Sequence, residues 1–140
     1  RHGHIINVAS AAAFAPNRKL AAYSTSKAAV HMLSECLRAE LAEHDIGVTA
    51  ICPGFVATGI ATATVYAGAS EEEQAQKRAK ADALYKRRNF SPDDVAEAIL
   101  KAVLHNPALS LVGAEAWSTR LLSRFAPALS RRVARIDLTP

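Results

Sequence analysis

Tyr23 and Lys27 stand four residues apart in the segment YSTSK, inside a stretch whose pattern is helical. Residues at this spacing lie one turn apart on the same face of a helix, so the phenol and the ammonium are neighbours. A positive charge beside a phenol favours the phenolate, the form that accepts a proton. The pair therefore predicts acid and base chemistry at a substrate oxygen.

Two short apolar runs rich in β-branched residues flank this helix. HIINVAS occupies residues 4–10 and GVTAIC occupies residues 47–52, and such runs are typical of strands buried on both faces. The helix is predicted over residues 21–44 because apolar residues recur at every fourth position, at Ala29, Leu33, Leu37 and Leu41. Strand, helix and strand in this order predict a βαβ unit of a parallel sheet with a right-handed crossover.

The rest of the chain continues the α/β pattern. EEEQAQKRAKADALYKRR begins with acids and ends with bases, as a helix dipole favours. Ser91, Pro92, Asp93 and Asp94 form a strong helix start. A third short strand is predicted at LSLV, residues 109–112, followed by a helix over residues 113–136 that is broken near Pro127.

In an open parallel sheet, ligands bind outside the carboxyl ends of the strands. This rule selects Ser10 and the loop after Cys52, and it brings Tyr23 and Lys27 to the same edge. The Ser10 hydroxyl would hold a substrate oxygen in line with the phenol. Each signal also has a structural explanation, since Tyr and Lys at this spacing occur in many helices and serine often forms turns.

The joint spacing resembles the short-chain dehydrogenase/reductase family, through the stretches INVAS, AAYSTSKAAV and CPGFVAT. The resemblance implies nicotinamide-dependent chemistry on a Rossmann-type doubly wound parallel sheet, of which this chain would form the C-terminal half. It implies that Tyr23 is the acid and base at the substrate oxygen. Lys27 would bind the nicotinamide ribose hydroxyls and favour the tyrosine phenolate, and Ser10 would orient the substrate oxygen.

The resemblance also assigns a loop that binds the cofactor. In one respect this sequence differs from the family pattern. Pro53, Gly54, Val56 and Thr58 match a loop that holds the nicotinamide end of NAD or NADP in the family. The family's glycine-rich turn has no counterpart, because none of the 6 glycines stands in its order. The chain begins at Arg1, so we expect the native polypeptide to be either processed or longer. Because the glycine-rich turn is absent, we expect the isolated 140 residues to be inactive.

Three regions follow from this interpretation. Residues 1–113 would form the C-terminal half of a dinucleotide-binding catalytic domain, with residues 59–90 as a lid over the substrate. The lid is apolar next to the site, which predicts a hydrophobic alcohol or carbonyl substrate. The resemblance implies a homo-oligomer that associates through helix 21–44. Residues 114–140 would form a basic amphipathic helical tail.

This tail holds five arginines against one glutamate and one aspartate. Its apolar residues favour packing on its own domain, with contact to an anionic membrane surface as the alternative. The net charge of +4 is too small and too dispersed to indicate a nucleic acid partner. Cys36 and Cys52 suit reduced thiols in the cytoplasm, and none of the 5 histidines has metal-site spacing.

The sequence thus predicts an oxidoreductase that interconverts an alcohol and a carbonyl, using NAD or NADP as cofactor and small molecules as substrates. The alternative is a non-catalytic module that mediates interaction or oligomerisation. A serine hydrolase built on Ser10 is excluded, because the chain has no nucleophile elbow around that residue.

Overall fold

The computed structural model describes residues 3–57, 63–65, 67–88 and 90–136. The described chain forms a three-stranded parallel sheet with helices on both faces. The strands are β1 (Gly3–Val8), β2 (Ile46–Pro53) and β3 (Leu109–Val112). The α-helices are α1 (Ala21–Glu40), α2 (Glu71–Arg88), α3 (Pro92–His105), α4 (Ala114–Phe125) and α5 (Pro127–Val133). Short 3-10 helices cover Ala11–Ala13 and Ala42–His44.

The sheet has the order β1-β2-β3, with β2 in the centre. Gly3 pairs with Ile46 and Val8 with Ile51 on one side of β2, and Pro53 pairs with Val112 on the other. β2 is buried from Gly47 to Pro53 because it has a ladder on each edge and helices on each face. A continuous apolar run is what such a position requires.

The side chains of the sheet alternate between two cores, as the two-residue period of a strand requires. On one face Cys52 packs with Ala9, Phe14 and Val30, the last of which belongs to α1. On the other face Ile51 and Val112 pack with Ala102 of α3. Helices on both faces of a parallel sheet make this a doubly wound arrangement.

β1 is less buried than its sequence predicts. Its residues 4–7 are only half-buried, and among the described residues it pairs with β2 alone. The apolar run HIINVAS suits an interior strand. It is more apolar than an edge strand requires.

α1 turns a different face toward the sheet from the one that the leucine repeat suggests. Ser34 is its buried residue, and the Ser34 hydroxyl accepts a 3.0 Å hydrogen bond from the Asn7 amide and donates to the Val30 carbonyl at 2.7 Å. Leu33 is 54% exposed and Met32 is 61% exposed. The packed face is therefore offset by about one position, which leaves apolar side chains in solvent.

α3 begins where its sequence predicts. The Ser91 hydroxyl accepts from the Asp94 N–H, and the Asp94 carboxylate accepts from the Ser91 N–H, forming a capping box with Pro92 at the start. At the other end Asn106 takes a left-handed conformation with φ of 52°. Arg38 of α1 donates to the Asn106 side chain and carbonyl, both at 2.9 Å, and joins the two helices.

The tail forms α4 and α5 with the break at Pro127, as predicted. Ala116 and Ser130 are the buried residues of these helices. No helix among the described residues is long and apolar enough to cross a membrane.

Candidate active site

The carboxyl ends of β1 and β2 define the candidate site. β1 ends at Val8 and β2 at Pro53. Because the strands are parallel and in register, their ends meet at one edge of the sheet. The Ala9 N–H donates to the Ile51 carbonyl at 2.8 Å and extends the ladder to the residue before Ser10. This edge is where open parallel sheets bind ligands.

Ser10 caps the 3-10 helix that follows β1. Its Oγ accepts a 3.1 Å hydrogen bond from the Ala12 N–H, which fixes the hydroxyl oxygen at the strand end. A serine hydroxyl has two acceptor lone pairs and one donor. The cap uses a lone pair, so the Ser10 O–H can still donate to a substrate oxygen.

Lys27 connects the strand end to Tyr23. Its Nζ donates to the Val8 carbonyl at 3.1 Å, and the same Nζ lies 5.8 Å from the centroid of the Tyr23 ring. One ammonium therefore bonds to the backbone two residues before Ser10 and lies near the Tyr23 ring one helical turn away. The structure brings Tyr23 and Lys27 together at the end of β1.

Tyr23 lies in the first turn of α1 and is 45% exposed. The Ser26 hydroxyl donates to its carbonyl at 2.8 Å. The Tyr23 side chain is thus accessible from solvent.

Cys52 lies behind this edge and is fully buried. Burial raises the pKa of the Cys52 thiol to about 11, and a backbone hydrogen bond from Ser10 and the positive charges of Arg120 and Lys27 oppose that rise in part. The thiol is therefore neutral at physiological pH. A neutral buried thiol acts as an apolar side chain and not as a nucleophile.

The loop after β2 begins with a close approach of two segments. The Gly54 N–H donates to the Val112 carbonyl at 2.8 Å. A Cβ on Gly54 would lie 2.9 Å from Glu115 Oε2 and 3.2 Å from Glu115 Cβ. Glycine thus allows the first turn of α4 to pack against the end of β2.

The cofactor loop predicted from the sequence is described in part. Pro53 is buried, whereas Gly54 and Val56 are half-buried. The Ala57 N–H donates to the Phe90 carbonyl at 2.7 Å, which fixes the loop beside the start of α3. Thr58 lies outside the described residues.

The region assigned to a lid is also described in part. Ile60, Ala61 and Tyr66 lie outside the described residues, and Val65 is 74% exposed. The Arg78 guanidinium of α2 donates to the Thr64 carbonyl at 2.8 Å.

The Phe14 ring contacts two side chains, His31 and Arg120, in a group that the sequence did not indicate. The Phe14 ring packs edge-on to the His31 ring with centroids 5.1 Å apart, and the Arg120 guanidinium lies 4.7 Å from the Phe14 centroid. Burial lowers the pKa of His31, Arg120 lowers it further, and Glu35 opposes these effects. The group supports the turn that carries Ser10, joining it to α1 and α4.

The described residues contain no group of three or more His, Cys, Asp or Glu side chains arranged to hold a metal. Two cysteines are free, Cys36 at the surface and Cys52 in the core.

Comparison with known proteins gives the family. The family model described as short chain dehydrogenase matches residues 1–97. The chain belongs to the short-chain dehydrogenase family. Its fold is part of the Rossmann-type α/β fold, as the sequence predicted.

Curated relatives of this family member are oxidoreductases by name. A probable oxidoreductase, EphD, from Mycobacterium tuberculosis is 43% identical over 136 residues, which are 96% of this chain and 23% of that protein. An uncharacterized oxidoreductase from Staphylococcus saprophyticus is 36% identical over 101 residues, or 72% of this chain and 36% of that protein. The chain thus spans about a quarter to a third of the length of these relatives.

Solved structures of similar fold match nearly the whole chain. A short-chain dehydrogenase from Burkholderia cenocepacia in complex with NADP has a TM-score of 0.67 and 26% identity, and the match covers 98% of this chain and 48% of that one. A relative from Burkholderia phymatum in complex with NAD has a TM-score of 0.68 and 23% identity, covering 98% and 50%. The chain corresponds to about half of each.

Proposed function

We propose that the protein interconverts an alcohol and a carbonyl by hydride transfer, with NAD or NADP as the cofactor. The main observation behind this proposal is the position of the Lys27 Nζ. It lies 3.1 Å from the Val8 carbonyl oxygen and 5.8 Å from the Tyr23 ring centroid. This position supports a site in which the phenol, the ammonium and the Ser10 turn act together at the edge where open parallel sheets bind ligands. Membership of an oxidoreductase family and solved relatives bound to NADP and NAD support the proposal.

The residues of this edge fit the nicotinamide end of such a cofactor. An ammonium has three donors, so Lys27 can bond to the Val8 carbonyl and to a ribose diol together. Pro53, Gly54 and Val56 would border the nicotinamide, and Thr58 is proposed as a further contact. The sequence has no glycine-rich motif for the pyrophosphate. These 140 residues therefore fit one end of the cofactor.

The bound cofactor would supply or accept the hydride at the substrate carbon. In the reducing direction Ser10 and Tyr23 donate hydrogen bonds to the carbonyl oxygen and orient it. As that oxygen gains negative charge, the Tyr23 phenol gives it a proton, and Lys27 stabilises the phenolate that remains. Solvent then returns a proton to the exposed phenol. Oxidation of an alcohol follows the same steps in reverse.

We propose the same three regions that the sequence suggested. Residues 1–113 contribute the catalytic half-domain, residues 59–90 cover the substrate, and residues 114–140 form the tail. The exposed Val65 in the covering segment favours an apolar substrate. The free cysteines fit a reducing compartment, and we place the protein in the cytoplasm on that basis.

A second candidate function is association through α1. Met32 is 61% exposed and Leu33 is 54% exposed on that helix, and adjacent exposed apolar side chains are typical of a protein interface. We propose that α1 pairs with a second copy. Association of this kind is compatible with catalysis, because Tyr23 and Lys27 lie nearer the start of the helix.

The experiment is an assay of the protein at its native length with NADH and NADPH against a panel of apolar ketones and aldehydes. Formation of the alcohol is followed by mass spectrometry. Ser10→Ala should lower kcat/KM by about a hundredfold, whereas Ser26→Ala removes a hydroxyl from the same region and should leave the rate within about threefold. Oligomeric mass measured for both variants should equal that of the wild type. No alcohol from any substrate, with a stable oligomer, would favour the association function instead.

A further inference from the structure

The tail exposes several large apolar side chains. We call this group the tail surface. It consists of Trp117 (56% exposed), Leu121 (48%), Phe125 (74%), Leu129 (51%) and Ile136 (55%). The first three are spaced by four residues and share one face of α4. α4 and α5 pack on the domain through the small residues Ala116 and Ser130. Much of the apolar side that the sequence assigned to packing therefore faces solvent, whereas Leu122 and Val133 are half-buried.

Exposed arginines lie on the same segment as the tail surface. Arg124, Arg131, Arg132 and Arg135 are exposed, and the Arg124 guanidinium lies 5.9 Å from the Phe125 ring centroid. On the described part of α4 and α5 the one acid is Glu115, in the first turn of α4. A basic rim around an aromatic and aliphatic face complements a negatively charged, partly apolar partner.

We propose that α4 and α5 dock on an anionic lipid bilayer, with the tail surface in the interface and the arginines against the headgroups. Tryptophan and phenylalanine are favoured at the level of the headgroups, and arginines there bind anionic lipids. A second copy of the chain fits less well. A two-fold interface brings a patch against itself, so the arginines of each copy would face those of the other.

Docking would place the candidate site beside the lipid phase. Arg120 of α4 lies 4.7 Å from the Phe14 ring, four residues after Ser10. An apolar substrate dissolved in the bilayer would then be close to the Ser10 turn. This consequence rests on the proposed function, whereas the docking itself does not.

The test is co-sedimentation of the native-length protein with vesicles. Vesicles of phosphatidylcholine alone are compared with an equimolar mixture of phosphatidylcholine and phosphatidylglycerol. We expect binding to the anionic vesicles, weaker binding in high salt, and slower hydrogen exchange in residues 114–136 when these vesicles are added. Hydrogen exchange in α3 should not change.

Two pairs of variants test the surface. Arg131→Gln with Arg132→Gln should weaken vesicle binding by roughly twenty-five-fold, at about fivefold per arginine. Lys77→Gln with Lys80→Gln on α2 should not weaken it. Trp117→Ser with Phe125→Ser should weaken it by roughly tenfold or more. Leu100→Ser with Leu104→Ser removes an equally exposed apolar pair from α3, 65% and 73% exposed, and should leave binding unchanged.

Several results would overturn the proposal. These are no binding to anionic vesicles, equal binding to neutral and anionic vesicles, or tail variants that behave like their controls. A mass that falls from dimer to monomer in the Trp117→Ser, Phe125→Ser variant, without vesicle binding by the wild type, would assign the surface to a second copy. Loss of activity is not a readout, so failure of the proposed function would not affect this test.

Discussion

Lys27 bonds to a strand end that lies 19 residues earlier in the chain. Its ammonium bonds to the end of β1 and approaches the Tyr23 ring from the next turn of α1. The same charge can therefore position a cofactor and stabilise a phenolate. At the scale of single residues, the position of the Lys27 ammonium is the main support for the proposed acid and base catalysis.

Removing the charge of Lys27 should impair the reaction more than the fold. Lys27→Gln keeps an amide that can donate to the Val8 carbonyl but has no positive charge. We expect kcat/KM of the native-length protein to fall by roughly a hundredfold. The Kd for the cofactor should rise, and the free energy of unfolding should stay within about 0.5 kcal/mol of the wild type. Lys27→Arg should recover part of the loss, because it restores the charge. Wild-type kinetics in Lys27→Gln would exclude the role proposed for the ammonium.

The two cysteines should differ in reactivity. Cys36 is exposed and Cys52 is fully buried, and burial raises the pKa of the Cys52 thiol to about 11. With iodoacetamide at neutral pH, peptide mass spectrometry should find Cys36 alkylated well before Cys52. Equal rates for the two thiols would contradict the packing described for the end of β2.

The raised pKa of Cys52 also predicts a pH dependence of stability. In the unfolded chain the pKa of the thiol is near its ordinary value of 9.0, whereas burial in the folded protein raises it to about 11. The unfolded state therefore binds fewer protons between these values, and the free energy of unfolding falls as the pH rises from 9.0 to about 11. Cys52→Ala should reduce that fall in urea titrations. An unchanged slope would show that other groups cause it.

At the scale of elements, the ends of the strands and helices meet in tight contacts that depend on small residues. Gly47 begins the buried part of β2, and a Cβ there would lie 2.6 Å from His4 Nδ1 and 2.7 Å from Asn106 Oδ1. Asn106 is bonded to Arg38 at 2.9 Å, and His4 to the Thr49 hydroxyl at 2.9 Å. Neither side chain can move without losing a hydrogen bond.

Gly47→Ala should therefore destabilise the protein, by about 1–3 kcal/mol in the free energy of unfolding. Gly3→Ala is the matched control, since a Cβ on Gly3 would have nothing within 4 Å. That control should stay within about 0.5 kcal/mol of the wild type. Urea unfolding of both variants measures the difference, and equal midpoints would contradict the contact at Gly47.

Elements with local signals could be predicted from the sequence, and contacts between distant elements could not. The start of α3 was predictable because Ser91, Pro92 and Asp94 satisfy the helix end by themselves. The stack of Arg120 on Phe14 was not, because it depends on how α4 docks and no local pattern encodes that. The face of α1 that packs on the sheet differs by about one position from the predicted one. The leucine repeat predicts an apolar stripe, but it does not show which elements cover that stripe.

At the scale of the whole molecule, the described sheet corresponds to part of a larger family fold. The chain matches 48% and 50% of two solved relatives. Among the described residues β1 has one paired edge, and Val8 at its end is 46% exposed. An apolar strand with an open edge invites pairing with another chain.

The isolated 140 residues should therefore neither bind nicotinamide cofactor tightly nor turn over. We expect a marginal or aggregating chain without a cooperative melting transition, because an apolar edge and exposed helix faces remain uncovered. Calorimetry and a cofactor titration on residues 1–140 test this, with the native-length protein as the control. A sharp melting transition together with micromolar cofactor affinity would contradict it.

The most direct measurement for the proposed acid and base site is the effect of Tyr23→Phe on kcat in the native-length protein, with cofactor binding measured alongside. The variant keeps the ring that lies 5.8 Å from the Lys27 ammonium and loses the hydroxyl alone. We predict a fall in kcat of at least about a thousandfold, with the cofactor Kd and oligomeric mass unchanged. If the variant turns over within a few-fold of the wild type, Tyr23 is not the acid and base, and the site must work in another way.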